Sequence, residues 1–201
     1  MAKQSTNTVV KDDFITSPDT AKGRLLVAAA KLFNQKGFDR TTVRDIATEV
    51  GIQSGSIFHH FKTKEHILKA VMAETIGYTT EKMRVRLKST TNAKEEILAL
   101  IYCELESIIG DTADAMAVLV FEWRSLNTEN QAEILEMRDV YENLWLNALG
   151  KAKAEGLIEG DVFILRRFLT GALSWSKTWF NAEGDISIDQ LANQALRLVV
   201  K

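Results

Sequence analysis

Three histidines, His59, His60 and His66, fall within eight residues, and the other 193 positions of the 201-residue chain carry none. Around them stand Gln53, Ser54, Gly55, Ser56, Lys62 and Lys64. Gln and Ser side chains bond base edges or phosphate oxygens, and a neutral imidazole donates from one nitrogen while accepting at the other. Neighbouring histidines on a helix point about 100° apart and no third ligand is evident, so no metal is expected at His59-His60. A single cysteine, Cys103, excludes a disulfide framework or a cysteine zinc site within one chain. No metal-ligand helix motif, glycine-rich phosphate loop or Ser/His/Asp grouping is present, and carboxylate neighbours such as Glu95-Glu96 or Glu104/Glu106 read as solvated helix faces. The chemistry on offer is recognition. Neither an enzyme nor a cofactor is expected.

The formal net charge of −2 conceals a division. Residues 22–69 carry nine Lys/Arg against four Asp/Glu, a net of +5, whereas residues 70–201 carry 14 against 20, a net of −6. A small basic module joined to a larger acidic one suggests that one part meets a polyanion and the other does something else. No run approaches 18 apolar residues and no basic-then-apolar leader opens the chain, so neither a membrane partner nor export is expected and the cytoplasm is the default compartment.

The elements that must hold these residues are helical throughout. A tail over 1–18, ending at Ser17-Pro18, is polar and aperiodic and is expected to be disordered. Leu25, Leu26, Ala29, Leu32 and Phe33 recur at helical spacing up to Gly37. Thr42 with Asp45 has capping-box spacing before a second helix, buried through Val43, Ile46, Ala47 and Val50 and stopped by Gly51. A tight turn leads to a helix of barely two turns through Ile57 and Phe61, and Thr63 caps a long one over 64–88. Beyond it, helices are expected over 93–110, 112–126, 128–154, 162–182 and 187–200. Two short helices joined by a glycine turn are either a generic helical corner or a helix-turn-helix, and the basic excess favours the second.

The run Thr41-Thr42-Val43-Arg44-Asp45-Ile46-Ala47, Val50-Gly51-Ile52 and Gly55-Ser56-Ile57-Phe58-His59-His60-Phe61-Lys62-Thr63-Lys64-Glu65 resembles the TetR family of bacterial transcriptional regulators. The resemblance covers about residues 20–70. It implies an all-α protein: a three-helix helix-turn-helix DNA-binding domain, placed at 19–66, and a larger helical ligand-binding and dimerisation domain at 67–201. Gln53, Ser54, Ser56, His59 and His60 are then candidates for the DNA-facing surface, because Ile57 and Phe61 are four apart and are better spent on the core. Gly55 lets backbone approach the sugar-phosphate wall. Thr42, Arg44 and Lys64 are candidate phosphate clamps, two of them at helix N-termini. Many relatives carry tyrosine where this chain has Phe58, which cannot donate to a phosphate. One such head makes few phosphate contacts, so an operator of double-stranded DNA calls for a homodimer on a pseudo-palindrome.

In the acidic part, the stretch Phe163–Phe180 is apolar on nearly all sides and must be covered on more than one face. Leu165, Leu169, Ala172, Leu173 and Ser176, with Leu191, Ala195 and Leu198 of the last helix, are assigned to a four-helix dimer interface, as the resemblance implies. Tyr102, Met116, Trp123, Arg124, Met137, Tyr141, Trp145, Trp175 and Trp179 are candidates for an effector pocket, which is typically apolar with a few polar anchors. Trp175–Gly184 also resembles the corresponding helix of TetR-type regulators of fatty-acid and sterol catabolism that respond to acyl-CoA esters. That implies a small-molecule effector, a fatty acyl-CoA or similar apolar compound, with Arg124, Arg166, Arg167 or Lys177 as partners for its phosphates. The reading is a ligand-responsive repressor. A constitutive DNA-binding regulator and an enzyme of the helical domain are its alternatives.

Overall fold

A computed structural model describes residues 16–201, and every described element is helical. The expected disordered tail therefore lies outside the described residues as far as residue 15. Thr16 donates to the Glu74 carboxylate through both its backbone N–H (3.0 Å) and its hydroxyl (2.6 Å).

Helix α1 (Ala21–Lys36) begins where the Thr20 hydroxyl accepts from the Gly23 N–H, and buries Leu25, Leu26, Ala29, Leu32 and Phe33. The capping box opens α2 (Val43–Val50): Thr42 accepts from the Asp45 N–H, and Asp45 accepts from the Thr42 N–H. Gly51 closes it in the left-handed region (φ 76°, ψ 32°), which a residue with a Cβ adopts only at a cost.

The third helix is shorter than its spacing predicts. Only Ser54–Ile57 is α-helical (α3), and Phe58, His59 and His60 continue with i→i+3 hydrogen bonds. Serine and glycine are weak helix formers, so nothing local sustains a second α-turn. Ile57 and Phe61 are buried as their spacing requires.

Thr63 caps α4 (Lys64–Leu87), which leaves the head and packs against α5 (Ala93–Ile109), α6 (Ala113–Phe121) and α7 (Thr128–Ala154). Helices α8 (Val162–Trp175) and α9 (Ile188–Val199) complete the larger domain around α5. Ile97, Leu100, Ile101 and Leu105 of α5 and Trp145 and Leu149 of α7 are buried in one continuous core.

Two expected helices end early. The span 112–126 stops at Phe121 and passes through a 3-10 turn at Trp123–Ser125, and 162–182 stops at Trp175. In the second case the Ser176 hydroxyl donates to the Leu173 carbonyl and the Thr178 hydroxyl to the Trp175 carbonyl, local bonds that compete with the helix ladder.

Candidate nucleic-acid interface and effector chamber

On the head, Gln53, Gly55, Ser56, His59 and His60 are exposed together along α3 and the turns after it, with Ser54 half-buried among them. The backbone leaves open space where a Cβ on Gly55 would stand. Phe58 is also exposed, at 55%.

The cations beside this strip divide into two sets. Lys22, Lys31 and Lys69 pair with Glu74, Glu49 and Glu133. Arg24, Lys36, Arg40, Arg44 and Lys62 have no carboxylate partner among the described residues and are exposed. Arg44 thus has the freedom expected of a clamp.

Lys64 does not. Its ammonium donates to the carbonyls of Phe38 (2.6 Å) and Thr41 (2.8 Å) and lies 4.1 Å from the centre of the Phe38 ring. Those bonds tie the α1–α2 loop to the start of α4, so its charge is spent inside the protein. Thr42 is also committed: its hydroxyl donates to Asp45 at 2.7 Å, and this bond together with the backbone one holds the Asp45 carboxyl below its ordinary range, backbone first.

In the larger domain a cavity of about 70 Å³ lies among α4–α8, with Met116, Leu119 and Val120 on its apolar side and Glu104, Tyr141, Glu142 and Arg166 on its polar side. Arg166 is buried, with N–O distances of 3.0 Å to Glu104 and 3.1 Å to Glu142. The Tyr141 hydroxyl donates to Glu104 at 2.6 Å, and the guanidinium stacks 4.3 Å from the Trp145 ring. Burial opposes the Arg166 charge, but the carboxylates of Glu104 and Glu142 overrule it and hold the guanidinium above its usual pKa. Burial first, then the Glu104 carboxylate, pushes the Tyr141 phenol well up.

Of the nine expected pocket residues, Met116 and Tyr141 line this cavity and Trp145 backs it through Arg166. Tyr102 instead stacks under Arg86, 3.8 Å from its guanidinium carbon, and Trp123 faces Arg138 at 5.7 Å. Met137 is half-buried against the core, and Arg124 is exposed. Lys177 reaches the Ala113 carbonyl, and Arg167 is exposed over Phe163.

Helix α8 corrects the reading of its two faces. Leu169, Leu173 and Ser176, expected at a dimer interface, are buried within one chain, and Leu165 is half-buried. The outward stripe is Phe168 (73% exposed), Trp175 (66%) and Trp179 (55%), so Trp175 and Trp179, expected in a pocket, do not line this cavity. Ala172 faces outward as expected; Leu198 of α9 is 89% exposed, while Leu191 and Ala195 are half-buried. Periodicity finds both apolar stripes and gives no sign of which one faces the rest of the chain.

The sequence reading of Glu104 as part of a solvated helix face is also corrected: its carboxylate is buried against Arg166. The residue sits three or four residues from Leu100, Ile101 and Ile108, on the apolar stripe of α5, and that placement was the available signal.

Residues 25–71 match the family model for bacterial regulatory proteins of the tetR family, and residues 90–201, more than half the chain, match that of the tetracyclin repressor-like C-terminal domain. The chain belongs to the TetR family. Its relatives include the transcriptional repressor KstR2 of Mycolicibacterium smegmatis, 29% identical over 94% of this chain and 93% of that protein. The fatty acid metabolism regulator protein of Bacillus subtilis is 29% identical over 88% of this chain and 92% of its own. Among solved structures, one described as superantigen pfit is 58% identical and superposes with a TM-score of 0.81, covering 93% of this chain and 92% of that one. The TetR architecture accounts for both domains: α1–α3 form the helix-turn-helix head, and α5–α9 build the C-terminal domain that holds the cavity. Among the described residues no helix is long and apolar enough to cross a membrane.

Proposed function

We propose that this protein is a ligand-responsive transcriptional repressor that binds a pseudo-palindromic operator as a homodimer in the cytoplasm and leaves it when a small apolar or acyl-CoA-like effector enters the chamber bounded by α6, α7 and α8. The observation that carries the reading is the exposed strip of Gln53, Ser56, His59 and His60 beside unpaired Arg44 and Lys62. A strip of hydrogen-bonding side chains flanked by free cations matches the split of protein–DNA contacts between base edges and phosphates. Ser54 and Gly55 complete the reading face, and α2 presents Arg44 to the backbone, while Thr42 caps that helix through Asp45. It acts by binding, with no catalytic step.

The outward stripe of α8, continued by Ala172 and by Leu198 of α9, supplies the apolar face a second copy would cover. Exposed aromatic groups at this density mark interaction surfaces. Two copies then set two heads on one side of the duplex.

The effector is assigned to the cavity beside Arg166, with Met116 and Tyr141 on its wall. Its volume of about 70 Å³ is far below the roughly 300 Å³ at which ligand pockets begin. The chamber is therefore too small for such an effector as it stands, and an occupant must part α6, α7 and α8 to fit. That requirement is what lets binding energy shift the head, since a ligand indifferent to the two arrangements shifts nothing. The name of the KstR2 relative supports a repressing role, and that of the fatty acid metabolism regulator supports an apolar or acyl effector. The same small volume favours the constitutive alternative. Titration of dodecanoyl-CoA into the complex with selected duplex DNA decides between them: release supports the inducible reading, and unchanged affinity at saturation supports the constitutive one.

A further inference from the structure

The connection between α6 and α7, residues 122–127, is gripped by the DNA-reading head at both ends. At its start, Glu122 accepts from the backbone N–H of Phe38 at 3.1 Å through one carboxylate oxygen, and the other accepts from the Ser125 hydroxyl at 3.0 Å. At its end, Glu65 in the first turn of α4 accepts from the Asn127 N–H at 2.8 Å and from the Asn130 side-chain amide at 2.7 Å. Those two bonds, the backbone one first, hold the Glu65 carboxyl below its ordinary pKa. Both grips meet on the head side, because Lys64, adjacent to Glu65, holds the carbonyl and ring of the same Phe38. The result is a closed circuit: Glu122, Phe38, Lys64-Glu65, Asn127 and back through the 3-10 turn.

The two helices that this turn joins both line the cavity. Met116, Leu119 and Val120 lie on α6, which ends at Glu122, and Arg138, Tyr141 and Glu142 lie on α7, which begins one residue after Asn127. Arg138 also stands 5.7 Å from the Trp123 ring inside the turn. An occupant that parts α6 from α7 must shift their shared turn, and the turn cannot shift without pulling on Phe38 at one end and α4 at the other. Carboxylates suit this task, since charge-assisted bonds to N–H groups are shorter and stronger than neutral ones.

We infer that Glu122 and Glu65 are positioning residues that fasten the α6–α7 turn to the helix-turn-helix and so convey the state of the cavity to the reading head. They touch neither DNA nor effector. The inference rests on the effector reading for its biological use, but not for its physical content, because a side chain built into the cavity does the same work as a ligand.

The test uses the full chain. Val120→Trp fills the cavity from its half-exposed mouth. Hydrogen exchange then reads the Phe38 amide, with no DNA or effector present. Val120→Trp is expected to speed Phe38 exchange at least fivefold; unchanged exchange overturns the inference. With duplex selected on the unmodified protein, Val120→Trp is expected to weaken binding at least tenfold on the native background and less than threefold on Glu65→Ala/Glu122→Ala. Equal weakening on both backgrounds, or none on the native one, also overturns it. Glu122→Gln keeps an acceptor oxygen and is expected to retain the native response, which a merely space-filling role would not require; if the double alanine variant fails to fold, the Glu122→Ala and Glu122→Gln pair carries the same comparison. Dodecanoyl-CoA added to the same proteins separates the two proposals: if it leaves DNA binding of the native chain unchanged, the effector reading fails while the Val120→Trp cycle still decides this one.

Discussion

The Lys64 ammonium lies over the Phe38 ring and donates to the Phe38 carbonyl, so one side chain fixes the loop before the reading helices by its charge and its position together. Hydrogen bonds from a charged donor contribute about 1.5–3 kcal/mol each when buried and less when water can replace them. Lys64→Ala should therefore lower stability by about 1–2 kcal/mol, or several degrees of melting temperature. It should leave the salt dependence of DNA binding nearly unchanged. Arg44→Ala should do the reverse, reducing the slope of log affinity against log salt by about one with no change in melting. Melting curves and salt titrations of the two variants check this, and a salt slope that falls for Lys64→Ala alone would restore the clamp reading for that residue.

Gly55 gives a second separation of stability from binding. A methyl group there meets open space, and alanine favours a helix over glycine by about 0.5–1 kcal/mol. Gly55→Ala should fold slightly better and bind operator at least tenfold more weakly, because the new Cβ stands where the sugar-phosphate backbone comes closest. Equal DNA affinity in a gel-shift assay would show that Gly55 faces no backbone.

The neighbours Phe168 and Leu169 test the revised faces of α8. Phe168 is 73% exposed and Leu169 6%. Phe168→Asp should give a folded monomer by light scattering with native helical content. Leu169→Asp buries a charge in the core and should unfold the larger domain. A dimeric, folded Phe168→Asp protein contradicts the interface.

These faces mark what the sequence could and could not show. The head was legible almost residue by residue: Thr42 and Asp45 make their box, Gly51 turns left-handed, and Ile57 and Phe61 are buried. Short motifs with local hydrogen bonds specify themselves. The larger domain was legible as helices but not as packing. Two stripes of α8 are equally apolar, and which of them meets α5 is decided by the tertiary arrangement. Lys64 and Arg166 failed for a related reason: a cation's type shows that it seeks an anion or a carbonyl, and only the fold shows that Phe38, Glu104 and Glu142 already supply them.

Arg166 stands between two carboxylates, so removing it leaves Glu104 buried without a counter-charge. Breaking one side of such a pair costs about 3–5 kcal/mol. Arg166→Ala should show that loss in denaturant titration, and Glu104→Gln on the same background should recover part of it. A loss below about 1 kcal/mol, as for exposed pairs, would show that water reaches the cluster.

The central claim is that the strip from Gln53 to His60 reads duplex DNA. Selection of fragmented genomic duplex on the protein at low salt, followed by hydroxyl-radical footprinting of the enriched sequence, tests it most directly. The account predicts two protected half-sites related by a dyad and about 34–36 Å, or a multiple of it, apart, with protection lost in the Gln53→Ala/His59→Ala variant. No enriched sequence, or a footprint that survives this substitution unchanged, contradicts it.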